Sequence, residues 1–309
     1  MGSWQRFLEK LIASMRQILG RKEKYADHLK MCPGCGRFVE ASAKQCEYCD
    51  AAIAHVAVRA DRGEDADVLP MTESVVAVFM LCVFFFALGA IVSSQSSENP
   101  RLGDVFAAYF SPNGEVLHNM GSSDPFSVFA RGEGWRLLSY MFLHGNLIHI
   151  LFNLSALAML GPMVLQLFGL RRFWLIAFVT GVAGAAASTG LGALFWPHAT
   201  VGFSGALFGF LGALWGFARR EGDFTSAERW KRYMIYGNVI MIAVTFLGLA
   251  VDNLCHLGGM FAGMAMGYGL YDMQSSKMAK RVETVIVLGM FAILAFALYR
   301  IIPLTVLAP

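Results

Sequence analysis

Ser204 and His256 are the residues of this sequence best suited to catalysis. Ser204 lies between Gly202 and Gly205, at the head of an apolar stretch that runs to Ala218 without a charge, and His256 lies near the head of a later one. A serine hydroxyl becomes a nucleophile when a base takes its proton, and imidazole titrates near neutral pH. The two side chains together are therefore the minimum for acyl transfer. A serine at such a place also suits a simple helix cap.

Glycine recurs on one helical face of each of these two stretches. The first set is Gly205, Gly209, Gly212 and Gly216, and the second is Gly259, Gly263 and Gly267. Glycine faces let two membrane helices approach closely, and packing these two faces together would bring His256 near Ser204. The same glycines also suit tight packing in any transporter.

A second polar group lies in another apolar stretch and consists of His144, His149 and Asn153. His149 and Asn153 are four residues apart and share one helix face. Both can donate hydrogen bonds, which an oxyanion needs where its charge develops. His144 is expected to point elsewhere and to hold a loop. Each residue alone fits a structural hydrogen bond, but polar groups are costly to bury in a membrane, so the set indicates a functional site.

The composition indicates a polytopic membrane protein. Of 309 residues, 56% are hydrophobic and 15% are charged, which is too apolar for an ordinary soluble chain of this length. The net charge of +3 is modest, and we expect no nucleic-acid binding. Seven apolar segments are predicted, at about Val75–Val92, His144–Phe168, Phe173–Phe195, Ser204–Ala218, Tyr233–Val251, Asn253–Met273 and Val282–Ile301.

Lys and Arg alternate between the loops that connect these segments. The N-terminal region and the loops after segments two, four and six are basic, whereas the loops after segments three and five carry neither residue. This pattern predicts a cytoplasmic N-terminus and an outside C-terminus, in what we expect to be a bacterial inner membrane. Segment four, at fifteen residues, would rise only about 22 Å, so Ser204 is expected to lie below the outer surface.

The region before the membrane domain, residues 1–72, divides into three parts. Residues 1–30 are predicted to form a basic amphipathic helix, which could lie on a membrane surface or pack against its own domain or a protein partner. Residues 31–51 contain two Cys-x-x-Cys pairs, and residues 52–72 form a polar linker. The membrane domain is predicted over residues 73–301.

The four cysteines of the second part are Cys32, Cys35, Cys46 and Cys49. Two such pairs suit a structural, tetrahedral zinc ion with no open position for chemistry. Two disulfides or a redox pair are the alternatives, which a reducing cytoplasm disfavours. The segment resembles the zinc-ribbon family, and we expect it to bind a protein partner or to regulate the membrane domain.

From about Val75 to Arg300 the sequence resembles the rhomboid family of intramembrane serine proteases. Four motifs carry the resemblance: Gly134-Trp135-Arg136, then His144, His149 and Asn153 in the spacing HxxxxHxxxN, then Gly202-x-Ser204-Gly205, and finally His256-x-x-Gly259-x-x-x-Gly263. The resemblance implies an all-α fold of six core helices plus one C-terminal helix. It also implies substrates that are single transmembrane segments, cut near their outer end within the lipid bilayer and without a catalytic cofactor.

The resemblance also implies a role for each matching residue. Ser204 is the expected nucleophile and His256 the general base, with His149, Asn153 and the Ser204 amide as oxyanion donors. Trp135 and Arg136 anchor the first loop, and the Phe208 ring is expected to stack on the base. Cys255 stands where the family usually has alanine, and its thiol is expected to sensitise the protein to alkylation.

Other classes fit the sequence less well. No HExxH metalloprotease motif occurs, and no pair of membrane aspartates suits an aspartyl protease. A transporter, a channel or a haem protein would explain buried polar groups without the full set of motifs. A catalytically inactive rhomboid-like protein that binds transmembrane clients remains the alternative function.

Overall fold

The computed structural model describes residues 29–31, 38–40, 43, 45–46, 68–95, 103, 107, 110–195, 197–248, 250–272 and 277–306. The chain divides into two compact units, Met1–Ala66 and Asp67–Pro309. Most of the predicted amphipathic helix over residues 1–30 lies outside the described residues. Its last two positions, Leu29 and Lys30, belong to a strand instead.

The described part of the first unit contains one antiparallel pair of strands. Strand β1 (Leu29–Met31) pairs with β2 (Phe38–Glu40), with Met31 opposite Phe38. The two strands flank residues 32–37, which carry the first cysteine pair. Cys46 is buried, whereas Cys32, Cys35 and Cys49 lie outside the described residues.

The second unit is helical. Its described helices are α1 (Val68–Gln95), α2 (Gly114–Asn119), α3 (Arg136–Ser139), α4 (Leu147–Phe195), α5 (Ser204–Glu221), α6 (Phe224–Phe246), α7 (Asn253–Asp272) and α8 (Lys277–Val306). A π-helical turn at Phe126–Ala130 and a 3₁₀ turn at Tyr140–Phe142 lie between α2 and α4. Each predicted apolar segment falls on this helical framework.

Helix α4 combines two of the predicted segments. Gly169 breaks it with a φ of 77°, a left-handed conformation that glycine adopts without the steric cost of a Cβ. The result is two helical arms, residues 147–168 and 170–195. This helix packs against α5 and α7. The predicted boundary between segments two and three therefore lies at a single glycine.

Several helices extend beyond the apolar segments that predict them. Helix α5 has 18 residues, about 27 Å, rather than the fifteen expected from its apolar run. It includes Arg219 and Arg220 and ends where Gly222 adopts a left-handed φ of 82°. Helix α1 begins at Val68, inside the predicted linker. Charged residues end an apolar run but not a helix, because the backbone hydrogen bonds continue through them.

The protein is an integral membrane protein. Among the described residues, three helical stretches are long and apolar enough to cross a membrane: Glu73–Gln95, Leu147–Leu194 and Lys277–Ile301. Their outer faces expose large apolar side chains such as Phe84, Phe152 and Leu288. Such continuous apolar surface is stable only against lipid or another protein. The core lies instead around α5, whose Ala206, Phe210 and Ala213 are fully buried.

Helix α8 is held at both ends by ion pairs. Near its start, Glu283 accepts hydrogen bonds from Arg171 and Arg172, the two residues that begin the second arm of α4. Near its other end, Arg300 lies 3.9 Å from Glu133, in the loop before α3. The second arm of α4 and α8 therefore begin on one side of the bundle, and α8 ends on the side of that loop.

Candidate active site

Ser204 is the first residue of α5 and follows a tight turn. The cap position is Phe203, without a side-chain hydrogen bond, so the Ser204 hydroxyl is not used as a helix cap. Gly202 adopts a φ of 118°, and its amide donates to the Tyr140 carbonyl at 3.0 Å. A Cβ at position 202 would lie 2.7 Å from His149 Nε2. Glycine is therefore required there both by the turn and by the neighbouring ring.

The two glycine faces predicted from the sequence are in contact. A Cβ on Gly259 or Gly263 of α7 would strike the carbonyl oxygen of Gly205 or Gly209 in α5. In the opposite direction, a Cβ on Gly212 would lie 2.8 Å from the Met264 amide nitrogen. The two backbones thus touch with no side chain between them. Gly209 also lies against α4, where a Cβ added to it would strike the Thr180 side chain rather than α7.

This contact brings the His256 ring to the Ser204 hydroxyl. His256 Nε2 lies 2.9 Å from Ser204 Oγ, and the Phe208 ring, one turn further along α5, stacks on the imidazole at 4.4 Å and 17°. The His256 ring is buried, and its Nδ1 has no hydrogen-bond partner among the described residues. For Nε2 to accept the serine proton, the neutral ring must carry its own proton on Nδ1.

His149 and Asn153 lie on α4 beside the turn that precedes Ser204. The His149 ring faces Gly202, and Asn146 begins the helix by accepting the His149 amide at 2.8 Å. Asn153 Nδ2 donates to the His149 carbonyl at 2.9 Å, and its second N–H is not used by that bond. Asn153 therefore has an N–H to spare one helical turn from His149, whose ring faces the turn that leads to Ser204.

His144 packs edge-on against His149, with ring centroids 5.1 Å apart. The sequence predicted that it points elsewhere, on the assumption that residues 144 to 149 are helical. Helix α4 begins only at Leu147, so helical spacing does not apply to His144. Fully buried, it supports the face of the His149 ring.

Trp135 and Arg136 organise the loop between α1 and α4. The Arg136 side chain is buried, donates to the carbonyls of His118 and Ser122 at 2.6 and 3.0 Å, and pairs with Glu133. Its guanidinium also lies over the Trp135 ring at 4.8 Å. One side chain thus contacts three separate parts of the loop.

The same loop is tied to the chain that leads to Ser204. Ser123 and Thr200 form an isolated antiparallel bridge, with backbone hydrogen bonds of 2.8 and 3.1 Å. Asp124 follows directly; burial raises the pKa of its carboxyl, but hydrogen bonds from Ser127 and the charges of His118 and Arg136 lower it below the ordinary value. Asp124 is therefore an ionised group of this loop.

Two further residues next to the site were not singled out by the sequence patterns. The Tyr140 hydroxyl, fully buried, donates to the Gly181 carbonyl at 2.8 Å and lies 3.3 Å from Cys255 Sγ. The Asp252 carboxylate caps α7 by accepting the Cys255 amide at 2.9 Å. A signal for Asp252 is present in the sequence, since Asp before a helix is a preferred cap.

Cys255 does not face the Ser204–His256 pair. Its thiol is buried against Tyr140, and missing side chains at Gly184 and Gly205 make the space for it. The thiol was expected to sensitise the protein to alkylation because it is next to the base, but Cys255 is buried. Adjacent helical residues point about 100° apart, so the thiol packs against Tyr140 and Gly184 while the His256 ring meets Ser204.

Comparison with known proteins finds a family model that matches the site. Residues 131–273 match the rhomboid domain. The matched residues include Ser204, His256, His149 and Asn153, so the geometry described above lies in the part of the chain that is similar to that domain.

Proteins similar to this chain occur in plants and bacteria. The chain is 33% identical over 195 residues to RHOMBOID-like protein 4 of Arabidopsis thaliana, and the alignment covers 59% of this chain and 44% of that protein. It is 34% identical over 201 residues to RHOMBOID-like protein 2 of the same plant, covering 61% and 56%. It is 32% identical over 188 residues to Rhomboid protease GluP of Bacillus subtilis (strain 168), covering 59% and 35%.

The chain thus spans only about a third to a little over a half of the length of these relatives. The first two are plant proteins, so the comparison gives no support to the expected bacterial origin. What it shows is that residues 131–273 of this membrane protein are similar to the rhomboid domain.

Proposed function

We propose that this protein is an intramembrane serine endopeptidase that cleaves transmembrane segments of single-pass proteins near their outer end. The observation that carries the proposal is the 2.9 Å contact between His256 Nε2 and Ser204 Oγ, with the Phe208 ring stacked on the imidazole. A nucleophile within hydrogen-bond reach of an oriented base is the arrangement that acyl transfer needs. The relative named a rhomboid protease supports the same class of reaction.

In the proposed reaction Ser204 Oγ attacks the scissile carbonyl carbon while His256 Nε2 takes the hydroxyl proton. His256 then gives this proton to the leaving amine as the C–N bond breaks, which leaves an acyl ester on Ser204. A water molecule, deprotonated by His256, attacks the ester, and the serine recovers its proton as the acid product leaves. The reaction needs no cofactor, because each proton removed is returned.

Negative charge develops on the scissile carbonyl oxygen when Ser204 attacks and again when water attacks the acyl ester. Hydrogen-bond donors are needed at that oxygen in both steps. We assign this role to His149, Asn153 and the Ser204 amide. Their support is the His149 ring, which faces the turn at Gly202, and Asn153 one helical turn further along α4, with an N–H that its bond to the His149 carbonyl does not use. Loss of one such donor costs about 10² to 10³ in kcat in a serine protease.

The alternative is a rhomboid-like protein that binds transmembrane clients without cleaving them. The decisive measurement is cleavage of a single-span model substrate by purified wild type, Ser204→Ala and His256→Ala in liposomes. We expect cleavage by wild type alone. A fluorophosphonate is the second readout, and we expect it to label wild type and not Ser204→Ala. A wild type that neither cleaves nor reacts would favour the binding-only alternative.

We further propose that the N-terminus is cytoplasmic and the C-terminus outside. The basic loops support this orientation, as do the ion pairs that join Arg171 and Arg172 to Glu283 at the start of α8. Those three residues share one side of the bundle, which the rule assigns to the cytoplasm. Single cysteines at positions 171 and 300 in a variant without other exposed cysteines, probed with a membrane-impermeant maleimide in intact cells, test it. Labelling at 171 and not at 300 would reverse the orientation.

The first unit is proposed to hold a structural zinc ion through Cys32, Cys35, Cys46 and Cys49. A short antiparallel pair of strands flanking the first cysteine pair, and a buried Cys46, fit such a site. The module is proposed to recruit a protein partner. Metal analysis of wild type against Cys32→Ser/Cys35→Ser tests the metal, with a zinc content lost in the variant as the expected result. Removal of residues 1–65 is expected to leave cleavage of a model substrate in detergent intact.

A further inference from the structure

Asp252 is the point at which three separate segments of the site meet. Its Oδ1 accepts the Cys255 amide, and its backbone carbonyl accepts the His256 amide at 3.2 Å. Its Oδ2 accepts the hydroxyl of Ser188, in the second arm of α4, and lies 3.2 Å from His198 Nε2. One carboxylate thus joins α4, the start of α7 and the chain before α5.

The contact with His198 links Asp252 to the nucleophile. His198 lies six residues before Ser204, in the same connection that contains Thr200 and its bridge to Ser123. Ser204 enters from this connection, whereas His256 is carried by the helix that Asp252 caps. The carboxylate therefore contacts both chains whose separation sets the Ser204–His256 distance.

Asp252 is ionised in the folded protein. Burial raises the pKa of its carboxyl, but hydrogen bonds from His198, Ser188, the Cys255 amide and Thr200 outweigh burial and bring the pKa from 3.8 to about 2. Only about a tenth of the side chain is exposed, at 11%, so water screens the charge little. The charge is held in place by donors from three segments.

The charge is placed where the reaction needs it. His256 is the fourth residue of α7, within the first turn, where the unpaired N–H groups of a helix carry a partial positive charge. When His256 takes the serine proton, its ring becomes a cation in this unfavourable field. The Asp252 carboxylate, at the same helix end, offsets that field.

We propose that Asp252 is a positioning residue of the reaction, which fixes the connection before Ser204 against the start of α7 and stabilises the imidazolium of His256 through space. The proposal rests on the proposed protease function. It does not make Asp252 a hydrogen-bonded third member of a triad, because His256 Nδ1 has no partner among the described residues.

The sharpest variant is Asp252→Asn, which keeps the shape and the helix cap and removes the charge. Asn caps helices about as well as Asp, so α7 should still form, but the melting temperature at neutral pH should fall because the charge that Ser188 and His198 contact is lost. We expect kcat on a single-span substrate to fall about tenfold, which corresponds to the free energy of interaction of a charge with a partly buried helix end. KM should change little, because the substrate does not need this charge to bind.

A matched control is available at the start of α6. Asp223 caps that helix by accepting the Ser226 amide at 2.9 Å, but it lies on the exposed surface. Asp223→Asn therefore makes the same chemical change at a helix cap without the neighbouring base. We expect wild-type kcat from this control. An Asp252→Asn variant with wild-type kcat, or with a loss matched by Asp223→Asn, would overturn the proposal.

A second variant keeps the proposal testable if Asp252→Asn folds poorly. His198→Gln leaves the Asp252 cap and its charge intact and removes the imidazole that lies 3.2 Å from the carboxylate. We expect a smaller fall in kcat than in Asp252→Asn, and a double variant no slower than Asp252→Asn, because both changes act on one contact. Additive losses would contradict the link. The wild type and Ser204→Ala, assayed alongside, report on the protease function itself, so its failure is distinct from failure of this inference.

Discussion

Gly263→Ala should separate the two halves of the site. A Cβ at this position would strike the Gly209 carbonyl oxygen and would also lie 2.7 Å from the Gly209 carbonyl carbon and 2.8 Å from its Cα. Ordinary contacts of a Cβ begin near 3.4 Å, and both neighbours are backbone atoms in a packed helix. Relief therefore requires α5 and α7 to move apart by roughly 1 Å, and such overpacking costs about 1–3 kcal/mol.

The same movement acts on catalysis. His256 and Gly263 lie on one face of α7, so a shift of about 1 Å would take the ring beyond hydrogen-bond reach of Ser204 Oγ, now 2.9 Å away. Misplacement of this size costs on the order of 100-fold in rate. We therefore expect a lower melting temperature and a loss of about 100-fold in both substrate cleavage and fluorophosphonate labelling.

Two exposed helical glycines provide the control. Gly269 in α7 and Gly289 in α8 have no atom within 4 Å of a built Cβ, and alanine favours a helix over glycine by about 1 kcal/mol. Gly269→Ala and Gly289→Ala should therefore keep full activity and melt no lower than wild type. Wild-type cleavage and melting by Gly263→Ala would refute the argument that the α5–α7 backbone contact sets the Ser204–His256 distance.

Three further predictions concern charge and accessibility. The pKa of Asp252 is lowered to about 2, so the stability that its ionised carboxylate contributes is complete above pH 3.8 and is lost as the pH falls toward 2. Between those pH values the melting temperature should therefore fall less in Asp252→Asn than in wild type. Glu283→Gln leaves the buried Arg172 without its ion pair and should cost about 3 kcal/mol in unfolding, whereas Glu228→Gln breaks an exposed pair and should be near neutral. Maleimide should leave activity unchanged in folded protein because Cys255 is 2% exposed, and rapid inactivation that Cys255→Ala abolishes would contradict this.

Much of the fold follows from local sequence patterns. Most of each predicted apolar segment lies on a helix, because an apolar chain in a membrane must satisfy its backbone hydrogen bonds within itself. The helix ends are less predictable from hydropathy. Helix α5 continues through Arg219 and Arg220 to the left-handed turn at Gly222, since charged ends can reach past the apolar layer while the backbone stays helical.

The orientation of individual side chains depended on where the helices begin. His144 was expected to point away from His149, yet the two rings are in contact, because the chain before Leu147 is not helical. Cys255 was expected to be reactive, yet its thiol is buried, because it occupies the face of α7 that meets α4. Spacing along a chain predicts neither result unless the packing of the helix is known.

The sequence by itself determined the chemical groups available to this protein: the serine, the imidazole, the polar side chains of His149 and Asn153, and the two glycine faces that allow their helices to meet. These are properties of residue type and helical period. Tertiary structure decided how the residues are held. Asp252 shows the difference, because its partners Ser188 and His198 lie 64 and 54 positions away in sequence. Only folding brings donors from such distant segments to one carboxylate, and no local pattern records which ones will meet.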